Sequence, residues 1–403
     1  MTLLVSCRAI FADNEVQSQT KPSTDGARST HPSILPQEQK NGEKHFGITP
    51  AAQSAASREG HRHAFLHTLD LNLLESEREI EHKKISSSIR KLFGQHDWKG
   101  LDELAAKLFL RKTAFSLGVE PIGLFFTTFD KLSNEAEKSD WNTYLTQLKD
   151  FANTCPQSET PGLLIGRAHI DHAWHARGSG PSNTVSANKA QLFRDRLKEA
   201  DQVYKEQQEK FAGKNNEIYY SSYAKIALGE GWPRAKCDDL FNEAFAKYPN
   251  STALYIRRAI YLLPRWYGKS GECLKDLDLH CDKLPEADGD VMYARVCTAL
   301  FRDKYFSKDF CLELGADWNR IKRGFSELEN RYPNDLELLS LEASMATEQK
   351  DNAFALEAFK KLGPRVDISY WRKKRIFSNA YTRAKLEQID FSLAPQESKM
   401  LQD

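Results

Sequence analysis

The chain has 403 residues, 40% of them apolar and 28% charged, with a formal charge of +1. That composition is typical of a water-soluble globular chain with room for two or three domains or one long repeat array. A near-zero charge provides no field to gather nucleic acid, and no apolar run approaches the roughly 18 residues of a transmembrane helix.

The first residues, Met1 to Ala12, are weakly apolar and lack a basic start. As the sequence stands it carries no complete export signal and reads as cytoplasmic. Leu4-Val5-Ser6-Cys7 nevertheless has the look of a lipid-attachment box. With a true start further upstream, the segment would be the tail of an export signal. From Asp13 to Gly60 the chain is rich in Ser, Thr, Gln, Pro and charge, with Phe46 as its one aromatic. It cannot bury enough apolar area to offset ordering entropy, so residues 1–67 are expected to form a disordered leader.

Helical periodicity begins near Leu69. Ile85, Ile89, Leu92 and Phe93 recur at helical spacing, and Asp97 can cap a helix whose stripe is Leu101, Leu104, Ala105, Leu108 and Phe109. Further helices are expected over Gly123–Leu132, Asp140–Asn153 and Pro161–Ala176. The run Arg177-Gly178-Ser179-Gly180-Pro181 breaks the chain, and a long polar helix follows from Ala187 to Phe211. No sheet of consequence is expected. The seven cysteines contain no C-x-x-C pair, so they read as free thiols packed as small hydrophobes rather than as a zinc or redox site.

Two windows share a pattern. Cys237, Phe241, Ala244 and Pro249, followed by Tyr255, Ala259 and Leu262, form the first. Phe325, Leu328 and Pro333 form the second, which continues through Leu339, Ala343, Ala346, Ala355, Phe359 and Leu362. Both resemble the tetratricopeptide repeat, in which small residues let paired helices approach, an aromatic fills the groove and proline ends the second helix. The matched prolines are 84 residues apart, not a multiple of the usual ~34, so at least one repeat is irregular. The expected fold is therefore all-α. Residues 68–185 would be an N-terminal helical region, 186–363 an α-α superhelix of tetratricopeptide-like pairs, and 364–403 a C-terminal helix and tail.

Ala173-Trp174-His175-Ala176-Arg177-Gly178-Ser179-Gly180 and Leu262-Leu263-Pro264-Arg265-Trp266-Tyr267-Gly268 resemble the two signatures of a bacterial family of unknown function that carries tetratricopeptide-like repeats. The resemblance runs from about Leu69 to Leu284. It implies the helical fold and no catalytic residue. Physically, both signatures are helix ends, where Trp packs, Gly or Pro breaks the helix, and Arg reaches exposed carbonyls. Trp174, Arg177, Arg265 and Trp266 are the candidate binding residues, with a packing role as the competing account.

His169, His172 and His175 form an H-x-x-H-x-x-H run. On one helix the first two can face a common metal, while the third lies about 120° from the first, and no fixed-spacing Cys or Glu completes a set. Gly268-Lys269-Ser270 imitates a phosphate loop, but Leu263 stands where its first glycine belongs. Ser179 lacks the frame of a nucleophile elbow. The basic run Arg372 to Arg375 reads as a solvated helix face. No cofactor is expected. The functional expectation is a scaffold that binds a protein or peptide on stacked helix pairs, and the alternative is a metal-dependent enzyme at the histidine run.

Overall fold

The computed structural model describes residues 71–211, 216–302, 315–371 and 374–386. The expected leader, Cys7, Cys311, Arg372, Lys373 and the tail beyond 386 lie outside the described residues, as do the side chains of Lys374 and Arg375. Sixteen α-helices and two three-residue strands make up the described part. The protein is all-α, and among the described residues no helix is long and apolar enough to cross a membrane.

In chain order the elements are β1 Asn72–Leu74, α1 Glu77–Gly94, α2 Trp98–Leu110, α3 Pro121–Ala136, α4 Trp141–Thr154, α5 Thr160–Arg177, α6 Ala187–Lys210, α7 Glu217–Glu230 and α8 Arg234–Lys247. Then come α9 Thr252–Tyr261, α10 Glu272–Cys281, α11 Glu286–Arg302, α12 Trp318–Arg331, α13 Leu336–Glu348, α14 Asn352–Leu362, β2 Arg365–Asp367, α15 Ile368–Trp371 and α16 Lys374–Leu386. The helices expected from periodicity all form. Their starts are marked by side-chain caps: Ser76, Asp97, Asp140, Ser186 and Asn216 each accept a backbone N–H from the first turn.

Burial alternates along the chain. The even helices α2 to α14 each bury only three or four residues, one stripe against a neighbour. In α7 every residue from Ile218 to Leu228 is shielded, and α9 is buried at all but one of its ten positions. The helices α1, α3, α5, α7, α9, α11 and α13 touch one another in that order, each backed by an even-numbered partner. Among the described residues these helices thus form seven pairs in two layers, followed by α15 and α16. A helix that is apolar around most of its circumference belongs in the inner layer, because only there can all its faces be covered.

The stack closes on itself. β1, ahead of the first pair, runs parallel to β2, behind the last, with Asn72 opposite Arg365 and Leu74 opposite Asp367. Arg78 of α1 grips Glu337 of α13 through two hydrogen bonds of 2.7 and 2.9 Å, and Arg302 of α11 adds a third contact at 3.2 Å. Both members of the Arg78–Glu337 pair are almost fully buried. The segment between α2 and α3 reaches the start of α9, the middle of α11 and the end of α12. Ser116 O accepts from Arg295, Ala114 O from Tyr332, and Gly118, at φ 79°, presses on Thr252 so closely that a Cβ would fall 2.1 Å from its hydroxyl. Only glycine meets both demands. The first and last pairs are therefore joined to each other rather than left as two separate ends of the stack.

The residues of the two repeat-like windows are core. Cys237, Phe241, Ala244, Phe325, Leu328, Ala343, Ala346, Phe359 and Leu362 are all at most 2% exposed. Pro249 and Pro333 come just after α8 and α12, two pairs apart. Part of their irregular spacing lies in the long connection 262–271 between α9 and α10. Five described cysteines are free; Cys237, Cys273, Cys281 and Cys297 are buried, while Cys155 caps the end of α4 and is half-buried.

Candidate binding site at the C-terminal ends of the inner helices

The two signature segments end α5 and α9, the inner helices on either side of α7. Gly178, at φ 74°, closes α5 by donating its N–H to Trp174 O at 3.1 Å. Past α9 the chain folds back sharply: Trp266 and Gly268 donate to Leu263 O, and Tyr267 donates to Tyr261 O. A Cβ on Gly268 would stand 1.8 Å from the Leu262 carbonyl oxygen, so this turn admits only glycine. Lys269 donates its backbone N–H to Glu272, which starts α10; that hydrogen bond, not a phosphate, is what the Gly268-Lys269-Ser270 run supports.

These two ends meet. The indoles of Trp174 and Trp266 lie edge to face with centroids 5.7 Å apart. The Arg177 guanidinium is 5.6 Å from the first ring and 5.8 Å from the second, and its Nη1 also donates to Gly178 O and Gly180 O. Contacts of this kind are worth about 0.5–2 kcal/mol each. Phe193 of α6 packs edge-on against Trp174, and the Tyr267 hydroxyl donates to Leu228 O at the end of α7. Trp174 is buried at 7% exposure and Trp266 is half-buried. Of the four residues singled out from sequence, three form this cluster. Arg265, the fourth, is exposed on the turn after α9.

Arg177 is also one wall of a cleft of about 510 Å³ between the end of α5, the first turns of α6 and the end of α7. Val185, Phe193 and Leu197 form its apolar floor, and Arg194, Lys198 and Glu230 its rim. Gly229 lets α7 lie against this floor, since a Cβ there would meet Leu197 at 2.6 Å and Phe193 at 2.9 Å. None of the α6 residues stood out in the sequence. Their spacing, 193, 194, 197 and 198, is that of any amphipathic helix, and only the packing of α5 and α7 makes it a cleft.

The histidine run splits between two carboxylates. His172 Nε2 and His175 Nδ1 lie 3.1 and 3.0 Å from the two oxygens of Glu137, at the end of α3. His169 Nδ1 lies 3.1 Å from Glu199 of α6. His172 stacks on Trp141 with centroids 4.0 Å apart, and burial, then the nearby Arg196, pushes its pKa down to about 3. Burial lowers His169 as well. The pair that shares a partner is therefore His172 and His175, not His169 and His172 as helix geometry alone suggested. Among the described residues no group of three His, Cys, Asp or Glu side chains could hold a metal ion.

A charged cluster of Asp130, Arg167, Asp171 and Lys225 joins α3, α5 and α7. Arg167 holds Asp130 through three hydrogen bonds of 2.5 to 3.1 Å and donates a fourth to Ser222. Burial works against charge on Asp130, but Arg167 and Lys225 outweigh it and keep its carboxyl below the ordinary range. Asp171, 3.6 Å from Lys225, has no such clamp. Burial, and then the neighbouring Asp130, push its pKa up to about 7. The sequence offered one faint signal, an Arg and an Asp four apart on the buried helix α5.

No family model, curated protein or solved structure matches this chain.

Proposed function

We propose that the protein is a peptide-binding scaffold whose contact site is the cleft at the C-terminal ends of α5 and α7. The observation that carries this reading is Arg177, steadied by two indoles contributed by distant segments and standing in the wall of a cleft with an apolar floor. A guanidinium held in this way loses little freedom on binding, and preorganisation of this kind raises affinity. The resemblance of both signatures to a repeat family points the same way, since these signatures build the site. Trp174 and Trp266 act from behind, as supports for Arg177.

The test is an array of random heptapeptides probed with the full chain, followed by fluorescence polarisation on the retained sequences. A set of micromolar binders whose affinity falls at least tenfold in Arg177→Ala, measured at a temperature where the variant keeps the parent's far-ultraviolet circular dichroism, supports the proposal. An array that retains nothing, or binders indifferent to Arg177→Ala, overturns it.

A further inference from the structure

We infer that the peptide this cleft takes is acidic, with a carboxylate next to a large apolar side chain; the inference rests on the peptide-binding reading above. The rim and wall carry three cations, Arg177, Arg194 and Lys198, against one carboxylate, Glu230. Glu230 is already engaged, accepting from the Trp232 indole at 2.8 Å. Arg194 donates to the neutral Gln191. Neither it nor Lys198 forms an ion pair among the described residues.

Carboxylates are plentiful on the same helix, and four of the five are turned to other partners. Asp195 accepts from Gln191, Glu199 faces His169, Asp201 pairs with Lys205 and accepts from Tyr223, and Glu206 accepts from Gln202. Arg194 and Lys198 are one turn apart, a like-charge spacing that is mildly destabilising on a helix. The repulsion among these cations is relieved when an anion enters between them. Below them the half-buried Val185 and the uncovered part of Phe193, backed by the fully buried Leu197, present apolar surface that an anion alone would leave wet. A ligand matching both parts carries an acidic group at the rim and an aliphatic or aromatic group on the floor, as in an acidic-hydrophobic peptide segment.

The experiment compares the array binders with respect to composition, salt and charge reversal. Enrichment of Asp or Glu beside Leu, Ile or Phe supports the inference. So does binding that weakens as salt is raised from 50 to 300 mM, because rim charges are screened within about 8 Å at physiological ionic strength. In the double variant Arg194→Glu, Lys198→Glu, both positions are exposed and the melting temperature is expected to hold while affinity falls at least tenfold. Retained peptides without acidic bias, or acidic peptides bound equally by the double variant, overturn the inference and leave the scaffold reading standing. An array that retains no peptide removes the reading itself, and the inference with it.

Discussion

Trp174 and Trp266, 92 positions apart in the chain, meet edge to face at 5.7 Å, and one guanidinium, that of Arg177, covers both. The two rings are not equivalent. Trp174 is enclosed by Phe193 and the ends of α5 and α7, whereas Trp266 sits on the turn after α9 and is half-buried. Trp174→Ala is expected to cost about 3–5 kcal/mol of folding stability through the cavity it leaves. Trp266→Ala should cost clearly less and act mainly on Arg177, weakening peptide capture. Urea unfolding of both variants beside the parent separates the two. Equal losses would mean that the turn after α9 is as much part of the core as the end of α5.

Closure of the ring rests on Glu337. Burial alone would raise its pKa, but Arg78 and then Arg302 outweigh burial and hold it at about 2. A depressed carboxyl adds stability above its ordinary pKa of about 4.5, and this is lost as pH falls toward 2. Glu337→Gln leaves the buried Arg78 and the half-buried Arg302 without their anion and is expected to cost about 3–5 kcal/mol at neutral pH. The difference between variant and parent should shrink as pH drops from 4.5 to 2. Hydrogen exchange should accelerate first in β1 and β2; acceleration confined to α13 would argue against a clasp between the two chain ends.

His172 sets an acid limit of its own. Its folded pKa of about 3 lies below the ordinary 6.5, so the unfolded chain binds a proton that the folded chain refuses. Stability from this group is complete above pH 6.5 and declines as pH falls from there toward 3. His172→Phe keeps the stacking on Trp141 and removes the titration. Thermal melts between pH 3.5 and 7 should show a shallower acid decline in the variant than in the parent, and parallel curves would refute the assignment.

Phe359 anchors the last helix pair to α15 and α16. Its ring, 2% exposed, is 5.2 Å from those of Phe377 and Tyr381 and 6.1 Å from that of Trp371. Phe359→Ala should cost about 3–5 kcal/mol and loosen α16, which calorimetry and proteolysis of the C-terminal end would register.

Helix positions, caps and core residues of this protein were legible from the sequence because each depends on residues three or four apart. Asp97, Asp140 and Ser186 announce their helices by the same local chemistry that satisfies the first-turn N–H groups. Even the two-layer arrangement left a trace, for the segment Ile218 to Leu228 is apolar or small nearly all round while α6 is polar outside one stripe. The sequence by itself therefore determined an all-α chain of paired helices. Only the tertiary structure decided that the stack closes, that Arg78 finds Glu337 across 259 residues, and that Trp174, Arg177 and Trp266 converge. It also assigned His172 and His175 to Glu137. The physical reason is range. Helix formation is a sum of near-neighbour terms, but the partner of a buried charge or ring is chosen by whichever distant segment can exclude water from it, and nothing in the spacing of either segment names the other.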